Sequence, residues 1–177
     1  MDTLTFPKHF RWGCATSSYQ IEGAAKLHGR HRSIWDTFCT YPGKVVHGVK
    51  GDVACDHVHR FAEDIALMKE LGVDTYRFSI AWPRVLTMDG ELNPQGVAFY
   101  KNLVAELKKN GIKACATLFH WDLPQHLQDI GGWMNREVVK YYVDYAERMF
   151  QELGDDVDQW ITINEPSVIT ILGYITG

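Results

Sequence analysis

The chain contains 177 residues, of which 46% are hydrophobic and 23% are charged, and its formal net charge is -4. These values are typical of a soluble globular protein with room for one sizeable core, so we expect residues 1–177 to form a single domain. The acidic balance excludes the basic surface that attracts nucleic acid or an anionic membrane, and no stretch is long and apolar enough to span a bilayer.

Cysteine usage and the N-terminal residues favour a cytoplasmic location. The four cysteines show no paired spacing of the C-x-x-C kind, which is typical of free thiols in a reducing compartment. Residues 1–8 lack a basic region followed by an apolar run, so no signal peptide is predicted.

Short runs suited to strands alternate with longer runs whose apolar residues recur at three- and four-residue steps, as in amphipathic helices. In chain order the predicted elements are a strand over residues 10–14, a helical turn over 33–38, a helix over 56–71, a strand over 73–80, a helix over 93–110, a strand over 112–119, a helix over 135–154, a strand over 160–163 and a helix that starts at Pro166. This order predicts a parallel α/β fold with room for a loop after each strand.

Three polar residues stand where the long helices are predicted to begin. Asp56, Asn93 and Asn135 are each expected to act as an N-cap, and Pro94 suits the first helical position. The third long helix carries an apolar face formed by Val139, Tyr142, Val143, Ala146, Met149, Phe150 and Leu153.

Polar and aromatic residues that a buried strand does not need fall on the strands or just after them. They are Gln20, Arg77, His120, Trp121, Asn164 and Glu165. Catalytic groups of parallel α/β barrels lie at the carboxyl ends of the strands. One such residue would carry little weight, but one or more for each strand predicts a functional site.

The most informative stretch is residues 160–166, with the sequence WITINEP. Its first four residues are aromatic or β-branched, as in a buried strand, and an amide, a carboxylate and a proline follow at once. Asn164 and Glu165 would point to opposite faces of a regular strand, so we expect the strand geometry to break there, with Pro166 as the cause. The alternative, a surface acid beside a helix start, is disfavoured by the other strand ends.

Four stretches together resemble glycoside hydrolase family 1, which contains β-glucosidases and β-galactosidases. They are residues 10–24 (FRWGCATSSYQIEGA), 76–82 (YRFSIAW), 119–124 (FHWDLP) and 162–166 (TINEP). The resemblance implies a (β/α)8 TIM barrel, of which this chain would contain about the first four β/α units. It also implies retaining hydrolysis of β-linked sugars, with no cofactor.

The resemblance implies a role for three of the strand-end residues in the chemical step. Glu165 would be the general acid/base, and Asn164 would hold the sugar 2-hydroxyl. Arg77 would sit beneath the nucleophilic carboxylate of the family and keep it ionised, because a nearby positive charge lowers a carboxyl pKa.

The same comparison implies that Gln20, His120 and Trp121 contact hydroxyls of the non-reducing sugar. A neutral amide and a neutral imidazole bind hydroxyls without adding charge near the acid. A separate stretch, residues 55–59, contains His57 and His59, which could be considered as metal ligands. We expect no metal site there, because these side chains diverge on a helix and no third ligand is suitably spaced.

The family's nucleophile lies on the seventh strand of its barrel, beyond the four strands predicted here. Three hypotheses follow: the chain is an incomplete piece of a β-glucosidase, one half of a split barrel whose partner supplies the nucleophile, or a non-catalytic sugar-binding remnant. We expect no activity from this chain alone. The expected partners are a small-molecule β-glycoside and either the missing C-terminal half or a second copy of the chain.

Overall fold

The computed structural model describes residues 4–176. Residues 1–3 and 177 of the predicted domain lie outside the described residues, and residues 1–3 also belong to the segment examined for a signal peptide. The four predicted strands form one parallel sheet in the order β1-β2-β3-β4, which confirms the predicted α/β class. The bounds are Gly13–Ala15 for β1, Thr75–Ser79 for β2, Lys113–Phe119 for β3 and Gln159–Ile163 for β4.

Strand β1 begins later than predicted. Phe10 and Trp12 are about half exposed and pack against each other and Phe6, with ring centroids 4.7 to 4.8 Å apart. The alternation of apolar residues over 10–14 therefore reflects an aromatic cluster that precedes the strand.

The helices connect the strands and follow their carboxyl ends. They are α1 (Ser18–Ile21), α2 (Ile34–Phe38), α3 (His57–Glu70), α4 (Trp82–Val85), α5 (Pro94–Lys109), α6 (Gln125–Asp129), α7 (Arg136–Leu153) and α8 (Pro166–Val168), with 3-10 turns at Val46–Gly48 and Gly132–Met134 and a π-helical segment at Ile169–Ile175. Within residues 4–176 no helix is long and apolar enough to cross a membrane.

The core lies between the sheet and the long helices α3, α5 and α7. Strand β3 is buried along its whole length after Lys113, because apolar side chains cover both of its faces. The largest fully buried side chains include Tyr76 of β2, Leu107 of α5 and Tyr145 of α7. Truncating a leucine in such a position costs about 2–5 kcal/mol, so the core holds the strand ends in fixed positions.

Of the three predicted helix caps, only Asn135 is confirmed, since its side chain accepts from the Glu137 amide at 3.0 Å. Asp56 is in the left-handed region and makes no cap; its carboxylate pairs with His59 Nδ1 at 2.6 Å. Asn93 also makes no side-chain cap, and its Nδ2 donates to the carbonyl oxygens of His28 and Arg84.

The predicted apolar face of α7 is confirmed in part, since Met149 and Leu153 are buried and Tyr142 and Ala146 pack against the core. Val143 and Phe150 are exposed, while Val138, Tyr145, Met149 and Leu153 are buried. The helix is turned so that Tyr145 Oη donates to the Leu118 carbonyl at 2.8 Å. The apolar residues of this helix cover more than one face, and its contact with the sheet decides which face is buried.

Candidate active site

The carboxyl ends of the strands meet at one edge of the sheet. Ser79 of β2 pairs with Thr117 of β3, and Phe119 pairs with Ile163 of β4. The Asn164 amide continues this ladder by donating to the Phe119 carbonyl at 2.9 Å. The residues that follow β2, β3 and β4 therefore emerge side by side, as the sequence predicted.

Arg77 and Asn164 are directly linked at this edge. Arg77 Nη2 donates to Asn164 Oδ1 at 2.5 Å and its Nε donates to Thr117 Oγ1 at 3.1 Å. Because Asn164 Oδ1 accepts from the guanidinium, its Nδ2 group remains the donor available to a ligand. Trp121 Nε1 donates to the Asn164 carbonyl at 2.9 Å, so Asn164 is held through both its side chain and its backbone.

Glu165 breaks the strand, as predicted. Its φ of 45° and ψ of 63° lie in the left-handed region, and Pro166 begins α8 immediately afterwards. Left-handed backbone costs a non-glycine residue roughly 1–3 kcal/mol, and such residues gather at functional sites. Trp121, at the end of β3, has a φ of 74° and shares this feature. The Glu165 side chain is exposed, and no group within residues 4–176 hydrogen-bonds its carboxylate.

His120 lies at the carboxyl end of β3 with its pKa lowered. Burial, together with the charge of Arg77, lowers the pKa of His120 to about 4. Its Nδ1 is buried and has no hydrogen-bond partner among the described residues. The imidazole ring lies 5.5 Å from the Trp121 ring, measured between centroids. A neutral imidazole with unused hydrogen-bonding capacity suits an uncharged hydroxyl group.

Gln20 occupies α1, the short helix after β1. It is exposed, and its side chain makes no hydrogen bond to the part of the chain that the structure describes. The structure thus joins Arg77, Trp121 and Asn164 by hydrogen bonds and sets His120 beside them. Gln20 and Glu165 lie at the same strand ends without direct bonds to the others.

A buried acid, Asp122, follows Trp121, and no local pattern predicts a role for it. It is fully buried, and burial raises the pKa of its carboxyl to about 7. Its Oδ2 accepts from Ser18 Oγ at 2.6 Å, which ties the loop after β3 to α1. Its partner Ser18 is 104 residues away in the sequence, so no local pattern identifies the pair.

A second buried network joins Glu22, Arg84 and Tyr100. Glu22 accepts from Arg84 Nε at 2.9 Å and from the hydroxyl of Tyr100, and Arg84 Nη2 donates to the Gly23 carbonyl at 3.0 Å. These groups link the loop after β1 to α4 and α5. An acid in a glycine-containing loop and an arginine in a short helix give no separate signal of this pairing.

The two histidines considered for a metal each pair with an acid of the same helix region. His57 Nδ1 lies 2.6 Å from Asp64 Oδ2, and His59 Nδ1 lies 2.6 Å from Asp56 Oδ1. Among residues 4–176, no group of three or more metal-ligating side chains is placed to hold an ion.

An apolar cavity of about 450 Å³ adjoins Phe119 and Trp121 at the carboxyl end of β3. Its walls are mainly aromatic and aliphatic, and include Trp35, Phe119, Trp121, Trp133, Leu172 and Tyr174. Flat or apolar groups stack well on such surfaces.

Four parallel β/α units with polar groups gathered at the carboxyl ends of the strands define part of an α/β barrel. Residues 2–177 match the family described as "Glycosyl hydrolase family 1", and the chain belongs to that family. It corresponds to an N-terminal portion of the family's barrel.

Several relatives match nearly the whole chain. "Beta-glucosidase A" of Acetivibrio thermocellus is 53% identical over 178 residues, which cover 100% of this chain and 40% of that protein. A GH1 β-glucosidase structure from Exiguobacterium antarcticum has a TM-score of 0.96 at 55% identity, over 98% of this chain and 39% of that one. A Thermotoga maritima β-glucosidase in complex with deoxynojirimycin has a TM-score of 0.92 at 46% identity, over 97% of this chain and 39% of that one. The chain therefore spans about 40% of the length of these relatives.

Proposed function

We propose that this chain supplies the general acid/base half of a retaining β-glucosidase, which removes terminal β-D-glucosyl residues from β-glucosides. The observation that carries the proposal is the linked trio of Arg77, Asn164 and Trp121, with the exposed carboxylate of Glu165 next in the chain. Relatives called β-glucosidases that match this chain end to end support the choice of substrate class.

In the proposed reaction Glu165 donates a proton to the glycosidic oxygen as the bond to the leaving group breaks. A nucleophilic carboxylate from the remainder of the barrel attacks the anomeric carbon and forms a glycosyl-enzyme. Glu165 then takes a proton from water as the water displaces that carboxylate. The exposed position of Glu165 allows both proton transfers.

Asn164 Nδ2 is proposed to donate to the sugar 2-hydroxyl. The hydrogen bond from Arg77 to Asn164 Oδ1 supports this role, because it leaves the amide nitrogen free for the ligand. His120, whose lowered pKa keeps it neutral, and the exposed amide of Gln20 would bind other hydroxyls of the same sugar. Trp121 would supply a contact surface beside them.

The second carboxylate is proposed to come from outside these residues, since the resemblance places it on the seventh barrel strand. Three explanations would account for a chain without the second carboxylate. The chain is an incomplete piece of a larger β-glucosidase, one half of a split barrel with a separate partner chain, or a sugar-binding remnant without catalysis. A reading frame for strands five to eight downstream in the DNA would decide for the first.

A cytoplasmic location is also a proposal, and it is supported by Cys14, Cys39, Cys55 and Cys115, all of them free cysteines.

Complementation tests the proposal. The chain is mixed with a separately expressed C-terminal half from a family member, and release of nitrophenol from aryl β-glucosides is followed. We expect turnover that Glu165→Ala abolishes and that Glu147→Ala, a change of an exposed acid on α7, leaves intact. A complemented barrel with unchanged turnover after Glu165→Ala would refute the role of this residue.

A further inference from the structure

We infer that Asp122 and Ser18 form an anchor that positions Gln20 for sugar binding. The inference rests on the proposed function, because Gln20 is assigned there as a sugar contact. It adds two positioning residues that touch neither the sugar nor the reacting atoms. Their carboxyl and hydroxyl groups act through the short helix α1.

The anchor is a closed set of buried hydrogen bonds. Ser18 Oγ donates to Asp122 Oδ2 at 2.6 Å, and Ser79 Oγ donates to Ser18 Oγ at 3.1 Å. The Ser18 amide donates to Ser79 Oγ at 2.7 Å. Ser18, Ser79 and Asp122 are all at most 3% exposed. The ends of β1, β2 and β3 are thereby joined through side chains.

Helix α1 is attached by side-chain bonds at both ends, in addition to backbone bonds from Cys55 N to the Ile21 carbonyl and from Val58 N to the Glu22 carbonyl. It has four residues, Ser18–Ile21, too few to be stable as an isolated helix. Ser18, its first residue, is tied to Asp122, and Glu22, which follows its last residue, is tied to Arg84. Gln20 lies between these two attachments and makes no side-chain hydrogen bond of its own within residues 4–176. Its place in the site is therefore set by the backbone of α1.

Asp122 also fixes the other side of the sugar site. It directly follows Trp121, whose backbone is left-handed and whose indole is bonded to Asn164. One carboxyl group thus fixes the position of α1 relative to the His120-Trp121 segment. A buried carboxyl without a positively charged partner costs stability, and Asp122 Oδ1 has no hydrogen-bond partner within residues 4–176. Buried polar groups that lower stability in this way occur at sites that need a defined geometry.

Hydrogen exchange on the 177-residue chain tests the anchor without any need for activity. Ser18→Ala and Asp122→Ala should each lower protection of the Ser18 and Glu22 amides by about tenfold or more, since a hydrogen bond to a charged or polar buried partner is lost. The amides of strand β3 should keep their protection. Asp64→Ala, which removes the partner of His57 on α3, is the control that should leave the α1 amides unchanged.

Equal losses at α1 and β3, or unchanged protection at Ser18 and Glu22, would overturn the anchor. Ser18→Ala is a small change, and the variant should fold. It therefore decides the question if the Asp122→Ala variant does not fold.

The complemented enzyme gives the functional readout. Ser18→Ala and Asp122→Ala should raise KM about tenfold, and neither should add to the effect of Gln20→Ala, because all three changes remove the same contact. Asp122→Asn, which keeps an oxygen acceptor for Ser18, should restore most of the KM. Additive effects would make the two residues structural only. If the wild-type complex hydrolyses no β-glucoside, the proposed function fails, while the exchange experiment still decides whether the anchor exists.

Discussion

Arg77 Nη2 lies 2.5 Å from Asn164 Oδ1, which joins the second strand to the end of the fourth across the face of the sheet. The two residues are 87 positions apart in the sequence. Within residues 4–176 Arg77 bonds only uncharged side chains, Thr117 and Asn164. Its charge is thus not neutralised by the described residues, which suits the proposed role beside a carboxylate from the rest of the barrel.

Arg77→Met in a complemented enzyme should lower kcat/KM and raise the pKa of the acidic limb of the pH profile. The reason is that a positive charge beside the nucleophile favours its ionised form. Initial rates with an aryl β-glucoside across the acidic pH range measure this limb. Arg60→Met, which changes an exposed arginine on α3, is the control. A normal rate with an unmoved acidic limb would leave Arg77 as a purely structural residue.

Glu165→Gln should reduce hydrolysis of a cellobiose-like substrate by about 10²–10⁴-fold, the usual contribution of general acid–base catalysis. The first step with a good leaving group, such as dinitrophenolate, should suffer less because that oxygen needs little protonation. The measurement compares pre-steady-state release of the two leaving groups in the complemented enzyme. Wild-type rates on the cellobiose-like substrate would remove Glu165 from the role.

The chain alone should not hydrolyse β-glucosides at an enzymatic rate. Retaining chemistry uses two carboxyl groups about 5–5.5 Å apart, and the resemblance assigns only Glu165 to these residues. Asp122 is fully buried and bonded to Ser18, so it cannot replace the nucleophile. The assay is nitrophenol release by purified residues 1–177. Clear turnover that disappears in Glu165→Ala would reveal a nucleophile within this chain.

Asp122→Asn should stabilise the chain relative to wild type by an amount that grows from about pH 4 to about pH 7. Burial raises the pKa of Asp122 from 3.8 to about 7, so the unfolded wild-type chain releases this proton first as the pH rises. The wild-type free energy of unfolding therefore loses this contribution across that window.

Urea denaturation of both proteins between pH 4.5 and pH 8 measures the difference between them. His31 and His120, whose pKa values are lowered to about 4, act in the opposite direction over much of the same range, but they are present in both proteins. A pH-independent difference would show that Asp122 ionises normally in the folded chain.

Two asparagines at helix starts should respond differently to the same change. Asn135→Asp should alter the free energy of unfolding less, because the carboxylate still accepts from Glu137 N and the bond it loses, from Asn135 Nδ2 to the Ile130 carbonyl at 2.8 Å, is exposed to solvent. Asn93→Asp should cost about 1–3 kcal/mol, since Asn93 Nδ2 donates to the carbonyls of His28 and Arg84 at 2.6 and 2.7 Å. Denaturant midpoints of the two variants test this. Equal midpoints would contradict the assigned hydrogen bonds.

The sequence by itself determined the order of strands and helices and the strand ends at which polar side chains gather. Local period and turn chemistry decide these features, because the residues that specify them are neighbours. The break at Glu165 was predictable for this reason, since Asn164 and Pro166 stand beside it. The capping role of Asn135 was predictable for the same reason.

Only the tertiary structure decided that Val143 and Phe150 of α7 stay exposed, where the Asn93 amide points and how α1 is attached. Val143 and Phe150 are as apolar as the buried residues of their helix, so periodicity cannot rank them, whereas the contact between Tyr145 and Leu118 does. Ser18 and Asp122 are separated by 104 residues, and nothing near either one identifies the other. Their pairing exists because parallel strands bring their carboxyl ends together in space, at a site that no local pattern describes.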